Sequence, residues 1–492
     1  MTKREAAVAQ VELVGSRTRY PRGGMDAALA AFRCDFPDYD STAKLDELRA
    51  TEYARLDREG HLYLDYTGGG LYAESQLSAH IALLRDHVFG NPHSSNPSSR
   101  AATQLVERAR HAVLHFFNAS PDEYLVIFTP NASGALKLIG ESYPFQPGSR
   151  YLLTYDNHNS VTGIREFAHR RGADVIYSPV VPPDLRIDAD SLRADLAAIR
   201  RDKPCLFAYP AQSNFSGVQH SLDWVAEAKA AGWDVLLDGA AFTPTNRLDL
   251  SRVKPDFVSL SFYKIMGYPT GIGALIARKD ALAKLQRPWY AGGTILFASV
   301  VSEGRSMAPG AAAFEDGTVN YLGIPAVEIG LNYIAGIGID LIHERVRCLA
   351  GWLLQQLAGL RHSNGRPVAI IYGPANTEGR GGTLTFNFFD PNGRLNQHLD
   401  VESCANQENT SLRTGCFCNP GAREKALDVS EEELVGFYRQ TERMTLEQFM
   451  TAMRKTGGEG RGAVRISVGL ASNFADVYRF MQFAETFVDR EA

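Results

Sequence analysis

Asp238 closes the apolar run DVLLDG, and Lys264 closes DFVSLSFYK. Both runs are short, apolar and bounded by turn residues, so each reads as a strand, and strands of one parallel sheet bring both side chains to the same edge. A lysine there can form a Schiff base with an aldehyde. A carboxylate can keep a proton on a heteroaromatic nitrogen, and pyridoxal 5'-phosphate (PLP) needs both functions. An Asp and a Lys at strand ends also make an ordinary surface salt bridge. The surrounding stretch LSFYKIMGYPTGIGALIAR favours the first reading, because its hydroxyls and glycines let backbone approach a phosphate. Its GIG is no dinucleotide fingerprint, since it runs into a strand and opens no helix.

Further candidates follow other strand-like runs. FTPNASGALKLI reads as strand, turn and helix, with Asn131 as cap and the first N–H groups, near Ala132 and Ser133, free to meet a phosphate. LLTYDNHNSV puts His158 just past a strand end, where an imidazole can stack on a flat ring and move protons. CLFAYPAQSNFSG presents Asn214 as a donor to a ring oxygen. Of the six cysteines, Cys34, Cys205, Cys348 and Cys404 stand singly and read as small buried hydrophobes. Cys416 and Cys418 form a CxC pair on a Gly-flanked loop near Arg413 that reads as flexible, a setting that favours thiolate. No second Cys/His pair stands at zinc spacing, so no metal is expected.

The elements that must position these residues alternate. From a first strand at His61 to Tyr66 onward, apolar runs alternate with helical stretches, which implies an α/β fold built from βαβ units around a mainly parallel, seven-stranded-type sheet. Such sheets bind ligands at the carboxyl ends of their strands. At 492 residues, more than one compact unit is expected. Residues 1–60, with a helix around Thr42 to Arg58, read as an N-terminal arm contributing to the small domain, 61–320 as the large domain, and 321–492 as a smaller α+β domain. Within the last, Lys425 to Gly462 reads as an exposed charged helical insertion. Apolar residues make up 45% and charged residues 22%, as in an ordinary globular protein, and a net charge of -5 gives no basic patch for nucleic acid or membrane. The first residues carry no apolar segment of the signal-peptide kind, and no run reaches the roughly 18 to 20 apolar residues of a membrane span. A cytoplasmic location is the expectation.

The succession YLDYTGGG, NPHSSNPSSR, FTPNASGALKLI, DNHNSV, SNFSG, LLDGAA, SFYKIMGYPTGIGALI, AGGT, LRTGCFCNPGA and GAVRISVG resembles class V, fold-type I PLP enzymes. Within them it is similar to the cysteine desulfurase (aminotransferase-like) domain of molybdenum cofactor sulfurases. The resemblance covers roughly residues 60 to 490, with every motif in order. It implies Lys264 as the Schiff-base lysine, Asp238 as the pyridinium partner, His158 as the stacking residue and Asn214 facing the ring hydroxyl. Ala132, Ser133, Ser261 and Tyr263 would surround the phosphate, joined by Thr294 of the partner subunit in a homodimer. It also places the sulfur-accepting thiol on Cys418, and the substrate carboxylate on Arg465 with Arg413 near it. The implied reaction turns L-cysteine into L-alanine and leaves a persulfide on Cys418 for an acceptor, the molybdenum cofactor or another one.

Two positions depart from the commoner desulfurase pattern: Ala241 stands where many members carry Gln, and Tyr263 where His is commoner. The given sequence also stops with the PLP domain, without the C-terminal domain of full-length eukaryotic sulfurases, which leaves the acceptor open. Two other readings stand beside this one. The first is an aminotransferase, epimerase or C–S lyase in which Cys418 is incidental. The second is a catalytically silent partner protein that keeps the fold.

Overall fold

The computed structural model describes residues 19–21, 23–429 and 462–492. The expected charged insertion therefore lies almost wholly outside the described residues. The centre of the molecule is a seven-stranded sheet of β1 (Tyr124–Thr129), β2 (Arg150–Thr154), β3 (Asp174–Ser178), β4 (Cys205–Pro210), β5 (Asp234–Asp238), β6 (Phe257–Ser261) and β7 (Gly273–Arg278). The spatial order is β1-β7-β6-β5-β4-β2-β3. All neighbours are parallel except β7, which runs antiparallel to both β1 and β6.

Alternation builds the two faces of this sheet. Along β5, Val235 and Leu237 enter one apolar cluster and Leu236 the other, as the two-residue period of a strand requires. One face is covered by the helices Ala132–Ser142 and Ile164–Arg170 through Leu136, Ile139 and Ile164. The other is covered by Pro97–Phe116 and Pro325–Ile337 through Val106, Val113, Val327 and Leu331. Burial on both faces explains why β4, β5 and β6 are buried along their whole length.

The apolar cluster that holds Val235 and Leu237 continues into a four-stranded antiparallel sheet of β8 (Ala369–Tyr372), β9 (Thr383–Phe388), β10 (Arg413–Gly415) and β11 (Ala463–Ser467), in the order β8-β9-β11-β10. The helices Ile339–Gly359 and Phe474–Glu485 pack beside it. The N-terminal segment joins them: Phe32 meets Phe474 at 4.8 Å and Trp352 at 6.4 Å between ring centroids.

Three local expectations need correction. The strand expected at His61 to Tyr66 shrinks to Leu62–Tyr63 and pairs in parallel with Thr410–Ser411, outside the central sheet. Its remainder lies along β11, where Ser467 N donates to Leu64 O at 2.7 Å, and only past it does the chain cross the Lys264 segment, where Gly70 N donates to Tyr263 O. The single helix expected over Thr42 to Arg58 is two, Lys44–Thr51 and Arg55–Arg58, preceded by the 3-10 turn Pro37–Thr42. Cys205 and Cys348 are buried as expected, but Cys34 is exposed and Cys404 half-buried.

Lys264 does not end a strand. β6 stops at Ser261, and Phe262–Met266 forms a single helical turn that carries the lysine. Gly267 ends that turn with φ +74, and a Cβ there would fall on the Leu71–Tyr72 peptide. The chain then returns through β7, whose Gly273 pairs with Ser261, so the lysine segment is closed at its base by the sheet. Gly267→Ala is expected to lose about 1–3 kcal/mol from the left-handed conformation alone, plus the cost of the overlap. Gly271→Ala has φ +71 but nothing within 4 Å of its Cβ, and isolates the first contribution. Urea unfolding of both variants checks this, and equal losses would contradict the packing argument.

Candidate active site

Five carboxyl ends of the sheet meet around one cavity of about 420 Å³. β1 delivers Asn131, Ala132 and Ser133; β2 the loop with His158; β4 Gln212 and Asn214; β5 Asp238; and β6 Ser261, Tyr263 and Lys264. Asn131 caps the helix as expected, accepting from Gly134 N at 2.8 Å, and Ser133 Oγ lies 2.6 Å from Ser160 Oγ. Thr294 is not among the lining residues; its hydroxyl closes a local turn on Ala291.

Asp238 is buried and held. Its Oδ1 accepts from Ser259 Oγ at 2.7 Å and from Ala240 N at 3.1 Å, so Oδ2 is the oxygen that no described hydrogen bond engages. Burial pushes the Lys264 ammonium below its usual pKa, opposed mainly by the Asp238 charge and reinforced by Arg465. Burial likewise lowers His158. Its Nδ1 accepts from Ser160 N at 3.1 Å, which leaves the proton of the neutral ring on Nε2.

Beside the cavity lies a second constellation. Arg465 is buried, donates from Nη1 to Asn214 O at 2.9 Å and from Nη2 to Asp65 Oδ1 at 3.1 Å, and its buried Nε has no partner among the described residues. Burial draws its pKa down to about 10. Half-exposed Arg413 meets the same carboxylate, Nη2 to Oδ2 at 2.6 Å, which raises its own pKa. Asp65 therefore holds both expected substrate arginines, yet it carries no sequence signal of its own beyond its place in YLDYTGGG.

The Cys418 loop is not flexible in the way its glycine suggests. Cys416–Asn419 is a tight turn closed by Asn419 N to Cys416 O at 3.0 Å, with Phe417 at φ 55 and Cys418 at φ 54. Two successive positive φ values are the signature of a type I′ turn, which favours Gly, Asn and Asp. Phe and Cys hold it only because the surroundings over-determine it. Asn159 N donates to Cys418 O at 2.7 Å, and Asn214 Nδ2 to Phe417 O at 2.7 Å. Asn419 Nδ2 reaches Asp156 O at 2.7 Å and Asn214 Oδ1 at 2.9 Å. The Phe417 ring sits between Phe215, 5.5 Å away, and the Arg465 guanidinium, 4.7 Å away. Asn214 thus faces the cavity while both ends of its amide are tied to the thiol turn. Cys416 and Cys418 remain exposed.

The donor set fits PLP. An amine whose proton affinity is lowered, a buried carboxylate with one oxygen left over, a capped helix N-terminus and a neutral imidazole line one space of ligand size. Among the described residues no group of three or more His, Cys, Asp or Glu side chains could hold a metal.

The aminotransferase class-V family model matches residues 62–480. A molybdenum cofactor sulfurase from Arabidopsis thaliana is 36% identical over 92% of this chain, which spans 60% of that relative's length. A cysteine desulfurase from Thermococcus onnurineus superposes with a TM-score of 0.74 at 22% identity, over 90% of this chain and 97% of that one. A cystine C–S lyase superposes with a TM-score of 0.65 at 18% identity, over 87% and 98%.

Two outcomes follow. In ligand-free protein, the pH dependence of Lys264 reductive methylation, read by mass spectrometry, should have a midpoint below that of exposed lysines. Asp238→Asn should lower it further, because the lost carboxylate favours the ammonium; a rise would contradict the assignment. Asp65→Ala strands buried Arg465 without a counter-charge and should cost about 3–5 kcal/mol in chemical denaturation. Most of that loss should return when Arg465→Leu is added.

Proposed function

Since the chain belongs to the class-V aminotransferase family, we propose that it is a PLP-dependent cysteine desulfurase that moves sulfur from L-cysteine to Cys418 and releases L-alanine. The observation that carries this reading is the fastening of the Cys418 turn to Asn159, beside His158, and to Asn214, in the wall of the lysine cavity. A turn fastened there by a cavity-lining amide supports a part for its thiol in the reaction.

When bound, PLP supplies an electron sink next to the amino acid's α-carbon. Lys264 would anchor it and, with its lowered proton affinity, can take and return a proton at Nζ. Asp238 Oδ2 would hold the proton on the ring nitrogen, and the N-terminal N–H groups near Ala132 and Ser133, with Ser261 and Tyr263, would receive the phosphate. His158, in the cavity wall with its proton on Nε2, would face the ring. Arg465, with Arg413 beside it, orients the substrate carboxylate; its unpartnered Nε supports that role. The Cys418 thiolate then attacks the substrate sulfur. An S–S bond forms as the C–S bond breaks, the electron pair stays on carbon, and a proton delivered from Lys264 or His158 completes alanine. Exposed Cys418 offers its outer sulfur to an acceptor, and the similarity to a molybdenum cofactor sulfurase favours that cofactor.

The active unit in this reading is a cytoplasmic homodimer. The hairpin of Ile295–Ala298 and Arg305–Met307, next to Thr294, exposes Leu296, Phe297, Val300 and Val301, which supports a second copy covering this face.

Purified protein supplied with PLP, L-cysteine and a reductant should release alanine and sulfide, and Cys418→Ala and Lys264→Ala should each lose alanine formation. Pyruvate and sulfide surviving Cys418→Ala would instead identify a C–S lyase.

A further inference from the structure

Position 241, three residues past Asp238, holds alanine. Gln212 lines the same cavity as Ala240, Ala241 and Lys264, and with them also lines an adjoining space of about 30 Å³. It is only 3% exposed, so the direction of its amide decides what it offers the site.

That direction is set by a chain of hydrogen bonds reaching outward to the helix Ile339–Gly359. Asn246 Nδ2 lies 2.9 Å from Phe242 O, a carbonyl that can only accept, so this end of Asn246 is the nitrogen. Asn246 Oδ1 therefore accepts from Gln219 Nε2 at 2.9 Å and from His343 Nδ1 at 2.9 Å. Gln212 meets the donor ends of both neighbours, Gln219 Nε2 at 3.0 Å and Asn246 Nδ2 at 3.4 Å, and the atom it presents to them must be its oxygen. Gln212 Nε2 makes no hydrogen bond within the described residues, while Gln212 itself lines the cavity. The other amide in the wall, Asn214, is tied at both ends to the thiol turn.

Resting on the cofactor reading above, we propose that Gln212, at the end of β4, is the amide donor to the ring oxygen of PLP. Gln219, Asn246 and His343 act through it as positioning residues.

The test follows the visible absorbance of PLP-loaded protein against pH, without substrate. A donor to the ring oxygen stabilises the form that has lost the proton on the Lys264 linkage, and so lowers the titration midpoint. Gln212→Leu should raise that midpoint by about one pH unit, roughly tenfold in proton affinity. Gln212→Glu, nearly isosteric but offering an acceptor, should raise it at least as far and keeps the test open if the leucine variant does not fold. Midpoints equal to the wild type in the folded variants would overturn the assignment. A visible band absent from the wild type, or unchanged in Lys264→Ala, would remove the cofactor reading and this assignment with it.

Discussion

A guanidinium sealed from water must find a counter-charge or lose its proton, and Arg465 on β11 is such a group. Its partner, Asp65, lies 400 residues earlier in the chain. Meeting that requirement fixes much of the site. It draws the segment after Tyr63 across the molecule, where the following glycine-rich stretch packs on the Lys264 turn. It leaves the guanidinium face free to lie on Phe417 and its Nη1 free to grip Asn214. One ion pair thereby joins the entry segment, the small sheet, the thiol turn and the cavity wall.

The electrostatics of the cavity follow from what surrounds it. Lys264, Arg465 and Arg413 are gathered near it against Asp65 and Asp238, and burial lowers the proton affinity of Lys264, Arg465 and His158 alike. Cations crowded in low dielectric favour ligands that bring negative charge, and a phosphate and an amino-acid carboxylate both do so. Asp238 is the exception. Its Oδ1 is satisfied by Ser259 and the Ala240 amide, which leaves it one oxygen suited to a cationic or protonated partner.

The parts of this site legible in the sequence are those governed by short-range rules. Asp238 stands out because buried parallel strands read as apolar runs and their ends are marked by turn residues, and Lys264 stands out because it follows three residues past such an end. The Asn131 cap was legible because capping needs only the next few residues. What escaped depends on distance or on geometry that side-chain type does not announce. Asp65 and Arg465 have no spacing rule that links them. The glycine before Cys416 suggested a flexible loop, whereas Phe417 and Cys418 are fixed in left-handed backbone by partners on three other segments. Nor does the identity of an amide say which way it points: the orientation of Gln212 depends on Phe242 O and His343, beyond any local pattern.

The pairing of Ser261 with Gly273 has a mechanical consequence. Lys264 rides on a single helical turn that leaves β6 directly and returns through residues 267–272 to β7, a strand already bonded to β6, so the lysine has a short mount in place of a lever arm. Displacement of its backbone is thereby tied to that of the sheet. The long side chain is then the moving part, swinging from a fixed pivot between whatever it anchors and whatever proton it must collect.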